Sequence, residues 1–508
     1  MSAEPGVPQP REREMTLGAL AQVVPGARLV GDPGSVVRGM HYDSRQIRQG
    51  MLFAALPGAD FDGHHFIPQA LANGASALLL EKATESAVPE IVVADSRAAL
   101  AHIAGAFYGY PSRELATIGI TGTDGKTTTS YLLDGILRFH GKQTGLIGTV
   151  GIRIGDARED RLPHQTTPES NLIQGYLREM VESGVTHAIL EATSHGLAMH
   201  RLDGVEFAVA GVTNITHEHL EYHKTIAAYR RAKAMLLERV AATNGTVVLN
   251  ADDEGAQSIR EYAGAARVLQ YSRRSSDADL WAKHIEISAT GSQFDLYWSG
   301  SPVRVRLPLI GEFNVENALC AAGMALALGL SPDQVAAALA VARGVPGRML
   351  QVDEGQAFHV IVDYAHTPES LSKILTLLRS LHPDGRLIVV SGSAGERDAG
   401  KRPLQGEVCA KLADVSVLTS EDPRNEDAAA IIAEIAAGSF QAGGIAGESV
   451  FQIVDRREAI AHAFALAEPG DCVLLAGKGH ETSIIWGYEH VPWNEEMVAR
   501  ELLREVAG

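Results

Sequence analysis

Short unbroken apolar runs alternate along the chain with stretches in which apolar residues recur every three or four positions. The run at 115–121 favours a β-strand and meets a glycine-rich turn. Leu132, Leu133, Ile136 and Leu137 then recur at helical spacing over 127–140, until Gly141 stops them. That is strand, loop, helix. Further runs at 186–193, 207–213 and 246–250, separated by helical or loop text, predict a mostly parallel sheet with buried strands. Runs at 359–364, 386–391, 415–420 and 471–476 alternate with helices in the same way and predict a second, doubly wound unit. Ahead of both, residues 15–113 mix short apolar runs such as 51–56 with glycine-rich turns and a helical stretch at 96–108, as a small α/β domain would. The helical pattern at 332–342 is broken by Gly, Pro and Arg at 344–347, which places the last boundary there. No internal repeat of 20–50 residues is visible.

With 508 residues the chain suits about three domains, each able to bury a core. The net charge of −18 argues against broad binding to a nucleic-acid backbone. No run approaches the roughly 18 apolar residues needed to span a bilayer, so no membrane span is expected. Residues 1–14 hold three prolines and alternating charges without the apolar stretch of a secretory signal, and read as a flexible tail. Three scattered cysteines, Cys320, Cys409 and Cys472, suggest neither a disulfide framework nor a zinc site. A reducing, cytoplasmic setting fits.

The strongest motif is Thr121-Gly122-Thr123-Asp124-Gly125-Lys126-Thr127-Thr128, set between a strand and a helix start. Glycines let backbone N–H groups close around phosphate oxygens, Lys126 supplies a point charge, and Thr127 can hold Mg²⁺. The spacing departs from the general Walker pattern, with Ile120 five residues before Gly125. Glu191-Ala192-Thr193-Ser194-His195 follows a strand run, and 214–223 reads N-I-T-H-E-H-L-E-Y-H, a source of metal ligands beside a phosphate. Lys233, within the helical stretch 229–240, reads by itself as a solvated lysine. In the last third, charged clusters at 363–368, 396–403, 421–424 and 477–481 each follow a strand. Crevices at such strand ends are where open parallel sheets bind ligands.

These residues, in this order from about Met40 to Leu502, resemble the Mur ligase family, and within it the UDP-N-acetylmuramoyl-tripeptide synthetases. The resemblance implies a central P-loop ATPase domain at 114–345 and a C-terminal Rossmann-like domain at 346–508, behind the N-terminal α/β domain. It also implies an ADP-forming ligation in which the D-glutamyl side chain of UDP-N-acetylmuramoyl-L-alanyl-D-glutamate takes the γ-phosphate of ATP. The resulting acyl phosphate is attacked by the amine of a third, dibasic amino acid, in peptidoglycan synthesis, with domain closure excluding water. The enzyme is expected to be a monomer.

By the same resemblance, Asp43-Ser44-Arg45 with 58–63 form the uridine-nucleotide edge. Thr166-Thr167-Pro168, Thr193 and Arg201 hold the muramoyl dipeptide. Gly122 to Thr128, Asn317 in Gly311-x-x-Asn314-x-x-Asn317, Arg348, Asp363 and His366 serve ATP. Thr127, Glu191, His219 and a carbamylated Lys233 (N6-carboxylysine) hold Mg²⁺, and Lys126, Lys233 and Arg348 are the catalytic residues. Arg397, Glu421, Asp422, Pro423, Arg424, Gly477 and Glu481 take the incoming amino acid. Three departures stand out. Glu218-His219-Leu220-Glu221 replaces D-H-L-D, Met199 replaces a Gln, and Glu421-Asp422-Pro423-Arg424 replaces D-N-P-R. The retained Arg424 favours meso-diaminopimelate, which has a distal carboxylate, over L-lysine or L-ornithine. The rivals are a folylpolyglutamate synthetase and a nucleotide-binding regulatory protein without ligase activity.

Overall fold

A computed structural model describes Arg11 and residues 13–58, 62–159, 165–216, 218–288 and 290–507. The tail expected at 1–14 and the edge expected at 58–63 lie partly outside these residues, as does position 217 in the histidine-rich loop. The side chains of Leu220 and Glu221 are outside as well.

The apolar runs become strands that have no exposed position, as helices on both faces of a parallel sheet require. Leu387–Ser391 and Cys472–Ala476 have no exposed position. In the last third the order is Leu350–Val352, His359–Asp363, Cys472–Ala476, Leu387–Ser391, Val415–Leu418, Val450–Gln452. Every pair is parallel except the first. Four neighbouring strands therefore end side by side at Asp363, Ala476, Ser391 and Leu418, immediately before the four charged clusters.

Among the described residues the central sheet has eleven strands. Its middle runs Thr144–Gly148, His187–Glu191, Ala116–Thr121, Val209–Val212, Thr246–Asn250, Arg267–Ser272, all parallel. Ala116–Thr121 lies at the centre, so the glycine-rich turn that follows it emerges mid-sheet. A third sheet pairs Arg28–Val30, Glu90–Val92, Ala75–Leu80, Met51–Ala54 and Gly39–His41.

The chain divides into two compact units, the second beginning in the main at Arg343. The first unit holds both the N-terminal and the central sheets. Within it, Arg178 Nε donates to Tyr108 O at 2.8 Å, and Arg97 Nη1 reaches Glu169 Oε1 at 3.0 Å. All three cysteines are free and buried, and burial pushes each thiol up to about 12.

Candidate functional site

In the first unit the site is built around the turn after Ala116–Thr121. Gly122 has φ +154°, and a Cβ there would meet Thr213 Oγ1 at 1.8 Å. Gly125, at φ +83°, caps the helix Lys126–Phe139, and a Cβ on it would meet Asn317 Oδ1 at 2.2 Å. Only glycine fits at both positions. Asn317 is thus pressed against the loop, with Thr129 Oγ1 at 3.4 Å. The loop after the neighbouring strand Val209–Val212 fixes the turn from the other side. Thr123 N donates to Asn214 O at 2.7 Å, and Asp124 N donates to Asn214 Oδ1 at 2.9 Å. Thr123 Oγ1 lies 3.0 Å from Tyr229 Oη.

Lys126 Nζ folds back onto its own loop, donating to Gly122 O at 2.9 Å and Thr123 O at 2.8 Å. Lys233 comes from the helix Ile226–Ala242 and donates to that same Gly122 O at 2.6 Å. The reading of Lys233 as a solvated lysine is wrong. It is 1% exposed, because this face of its helix packs into the core beneath the loop. Burial, and then the charge of Lys126, holds its amine well below the usual lysine range.

Glu191, at the end of its strand, is 1% exposed. Its carboxylate accepts from Thr127 Oγ1 at 3.0 Å, Thr149 Oγ1 at 2.9 Å and Thr149 N at 3.1 Å. Burial raises its pKa against the opposing charge of Lys126. A buried carboxylate met only by neutral donors calls for a cation, and the hard oxygens of Thr127 and Glu191 suit a divalent one. His219 lies edge-on to His195, with ring centroids 4.7 Å apart, and its Nε2 is 3.7 Å from Glu218. Among the described residues no three acidic, imidazole or thiol groups gather into a ready-made metal cage. Mg²⁺ characteristically takes one or two carboxylates, with waters and phosphate oxygens completing its shell.

Thr166, Thr167, Thr193 and Arg201 form one hydroxyl-rich seam beside Glu191. Thr167 Oγ1 donates to Glu191 O at 2.8 Å and lies 2.9 Å from Thr193 Oγ1, while Thr166 Oγ1 is 3.2 Å from Thr149 Oγ1. Arg201 is 6% exposed and donates to Thr167 O at 3.0 Å and to Glu169 Oε1 at 2.9 Å. Thr149, Glu169 and Arg97 belong to this seam and escaped the sequence reading. Nothing local marks them, since their partners lie tens of residues away. Ser44 is buried, with its hydroxyl donating to Gln69 Oε1 at 2.7 Å.

In the second unit, Gly347 has φ +67°, and a Cβ there would meet the Gly479 carbonyl carbon at 2.0 Å. This contact brings residues 345–349 onto the loop at 477–480. Arg348 stacks over the Tyr364 ring at 5.0 Å, and its Nε is buried without a partner. Asp363 accepts from Met349 N and Ala365 N, each at 2.7 Å, and burial raises its pKa despite nearby Arg348. His366 is held to Tyr364 O at 2.9 Å through Nδ1, and burial lowers its pKa.

The loops at 421–424 and 477–481 converge. Glu421 Oε2 is buried without a partner and lies 3.2 Å from where a Cβ on Gly477 would stand. Burial raises the pKa of Glu421 to about 7. Arg424 adopts φ +55°, and its Nε is buried and unpartnered. Arg397 is exposed on the neighbouring loop, whose Gly395 N donates to Asp422 O at 2.8 Å.

Beneath both loops lies a residue the sequence did not single out. Arg456 forms a fully buried pair with Glu495 and donates to Ser420 O at 3.0 Å and Ala476 O at 2.8 Å. It therefore fixes the two carbonyls from which the loops spring. Removing one partner of such a pair typically costs about 3–5 kcal/mol.

Three family descriptions match in order: "Mur ligase family, catalytic domain" at residues 36–108, "Mur ligase middle domain" at 120–325 and "Mur ligase, glutamate ligase domain" at 347–479. The chain is 44% identical over 485 residues to a UDP-N-acetylmuramyl-tripeptide synthetase of Roseiflexus sp. (strain RS-1), covering 92% of this chain and 95% of the relative. It is 41% identical over 475 residues to a UDP-N-acetylmuramoyl-L-alanyl-D-glutamate--2,6-diaminopimelate ligase of Bacillus velezensis, with the same coverage. A solved structure of an enzyme with that second name superposes with a TM-score of 0.70 at 30% identity, covering 97% of this chain and 99% of the other. With these matches spanning nearly its whole length, the chain belongs to the Mur ligase family and has that family's three-domain α/β architecture.

Proposed function

We propose that this ATP-dependent ligase adds meso-diaminopimelate to the D-glutamate of UDP-N-acetylmuramoyl-L-alanyl-D-glutamate. Members of its family are ATP-dependent ligases, and the relatives named above supply the substrate class. The observation that carries the amino-acid choice is local to the second unit. Arg424, with a buried, unpartnered Nε, shares one loop with the buried Asp422, whose carboxylate is linked through Lys478 to Glu481. A guanidinium suits a distal carboxylate and the acids suit a distal ammonium, and diaminopimelate offers both.

In this reading residues 15–113 hold the uridine nucleotide through Ser44, residues 114–345 hold ATP and the dipeptide, and residues 346–508 hold the amino acid. The phosphates of ATP lie on the N–H groups of 122–128, a helix N-terminus that favours anions. Asn317, Arg348, Asp363 and His366 complete the nucleotide set. Thr166, Thr167, Thr193 and Arg201 orient the D-glutamyl carboxylate toward the γ-phosphate. Lys126 and Arg348 neutralise charge as the phosphoryl group moves, and most of the rate comes from this placement. Thr127 and Glu191, joined by His219, would hold Mg²⁺, which would supply positive charge to screen the phosphate oxygens. Lys233 would join them as a carbamate: burial holds its amine well below the usual lysine range, which favours the unprotonated form that adds carbon dioxide with release of a proton. The enzyme works as a single chain in the cytoplasm. Support for that setting is that no helix among the described residues is long and apolar enough to cross a membrane, and that all three thiols are free.

Ligation by the purified enzyme with UDP-muramoyl dipeptide, ATP and each of meso-diaminopimelate, L-lysine and L-ornithine tests the proposal. Diaminopimelate is expected to be preferred. Arg424→Ala is expected to raise its KM about 10- to 100-fold, the worth of a charge-assisted two-point contact, while changing lysine use little. Preference of the wild-type enzyme for lysine or ornithine in direct competition would show the arginine–carboxylate assignment to be wrong.

A further inference from the structure

Lys478 is one of the largest side chains in the protein with no exposed surface. Its ammonium donates to Asp422 Oδ1 at 2.8 Å and to Glu481 Oε2 at 2.5 Å, so one cation is shared by carboxylates from two loops. An ammonium is buried this completely only when paired. The same Asp422 Oδ1 also accepts from Ile485 N at 3.0 Å. Arg424 is tied to the same strand, Ser483–Trp486, its N–H donating to Ile485 O at 2.9 Å and its carbonyl accepting from Gly487 N at 2.7 Å. Lys478, Asp422 and the backbone of Arg424 are therefore one connected assembly, and a shift of Asp422 shifts Arg424.

Charge makes the arrangement selective. Asp422 and Glu481 carry two negative charges, and Lys478 and Arg424 carry two positive ones. Lys478 is consumed in holding the acids, which leaves the Arg424 guanidinium to act on a ligand. These four groups balance one another, with the Glu421 carboxyl, pushed up to about 7 by burial, beside them at Gly477, and together they complement a group that is itself balanced. Without Lys478 the acids would be in excess by one charge and no longer anchored, a site suited to a bare ammonium.

We propose that Lys478 is a positioning residue that locks Asp422 and Glu481 and sets the charge balance of the amino-acid end, so that the enzyme selects a third amino acid whose far end carries both an ammonium and a carboxylate. This rests on the ligase function proposed above.

The test compares kcat and KM of the full-length wild type, Lys478→Met and Asp422→Asn with meso-diaminopimelate and with L-lysine. Lys478→Met is expected to raise the diaminopimelate KM about 10- to 100-fold and to lower the diaminopimelate-to-lysine ratio of kcat/KM about tenfold, the scale of one lost charge-assisted contact. The KM values for ATP and the muramoyl dipeptide should stay within about twofold, since those ligands are assigned elsewhere. Asp422→Asn removes the opposite charge and is expected to move the ratio the other way, against lysine. A purely structural lysine would not produce two changes of opposite sign. Should Lys478→Met fail to fold, Lys478→Arg keeps the charge but displaces both acids, and is expected to raise the diaminopimelate KM while largely keeping the ratio. Folded variants whose amino-acid KM and ratio stay within twofold of wild type overturn the proposal. A wild-type enzyme that ligates none of these amino acids overturns the ligase reading instead.

Discussion

Lys126→Ala is expected to lower kcat about 10³-fold or more, the scale on which single cations contribute to phosphoryl transfer, while leaving the fold intact. The side chain is only partly buried, and its ammonium donates to two carbonyls of its own loop, Gly122 O and Thr123 O. Its loss removes two hydrogen bonds at about 1 kcal/mol each, which a chain of this size absorbs. The geometry supports the phosphate-loop reading proposed above. Nucleotide phosphates lying on the N–H groups of this turn would take the ammonium away from the carbonyls, so the lysine is stored a short rotation from its task. Phosphate release in a single turnover, followed beside a thermal melt by circular dichroism, separates chemistry from folding. A folded variant with near-normal turnover would remove the phosphate-loop assignment.

Lys233→Ala is expected to cost about 10²–10³-fold in kcat, as for loss of one preorganised electrostatic group. Its amine is fully enclosed and held toward the neutral state, first by burial and then by Lys126. A buried lysine kept merely for packing would give a variant with lowered stability and ordinary turnover. A lysine that becomes an anionic oxygen ligand gives the reverse, and a small carboxylate such as acetate is expected to restore part of the activity of the alanine variant. Depleting carbon dioxide from wild-type assays should lower activity in parallel. An unmodified amine in the substrate-bound enzyme, seen by intact mass or crystallography, would end this assignment.

The parallel sheets were legible because short unbroken apolar runs have few other fates in a chain this long. The run at 246–250 matches its strand at both ends, and the others match within a few residues. The strands Leu280–Ser288, Gly291–Trp298 and Ser301–Leu307 and the hairpin 483–492 were not foreseen. Leu280–Ser288 is half exposed and mixes Lys283, His284 and Glu286 with apolar residues, so it lacks the continuous run by which the buried strands are known. The site divides on the same line. Glycines and lysines of the phosphate turn advertise themselves by local spacing, and the charged clusters by falling after strands. Arg456 with Glu495, or Lys478 with Asp422, are pairs 39 and 56 residues apart, meaningful only once the sheet has set them side by side. The reading of Lys233 by itself as a solvated lysine failed for a related reason. Periodicity gives the faces of a helix but not which face a neighbouring loop will cover.

The three enclosed thiols make the molecule its own reporter. Cys320 lies in the first unit, and Cys409 and Cys472 lie in the second. With each thiol pushed up to about 12, almost none is thiolate at neutral pH, and alkylating reagents must wait for the chain to open. One label acquired at Cys320 and two at the other pair would time the opening of each unit separately, in the unmodified protein and without an introduced probe.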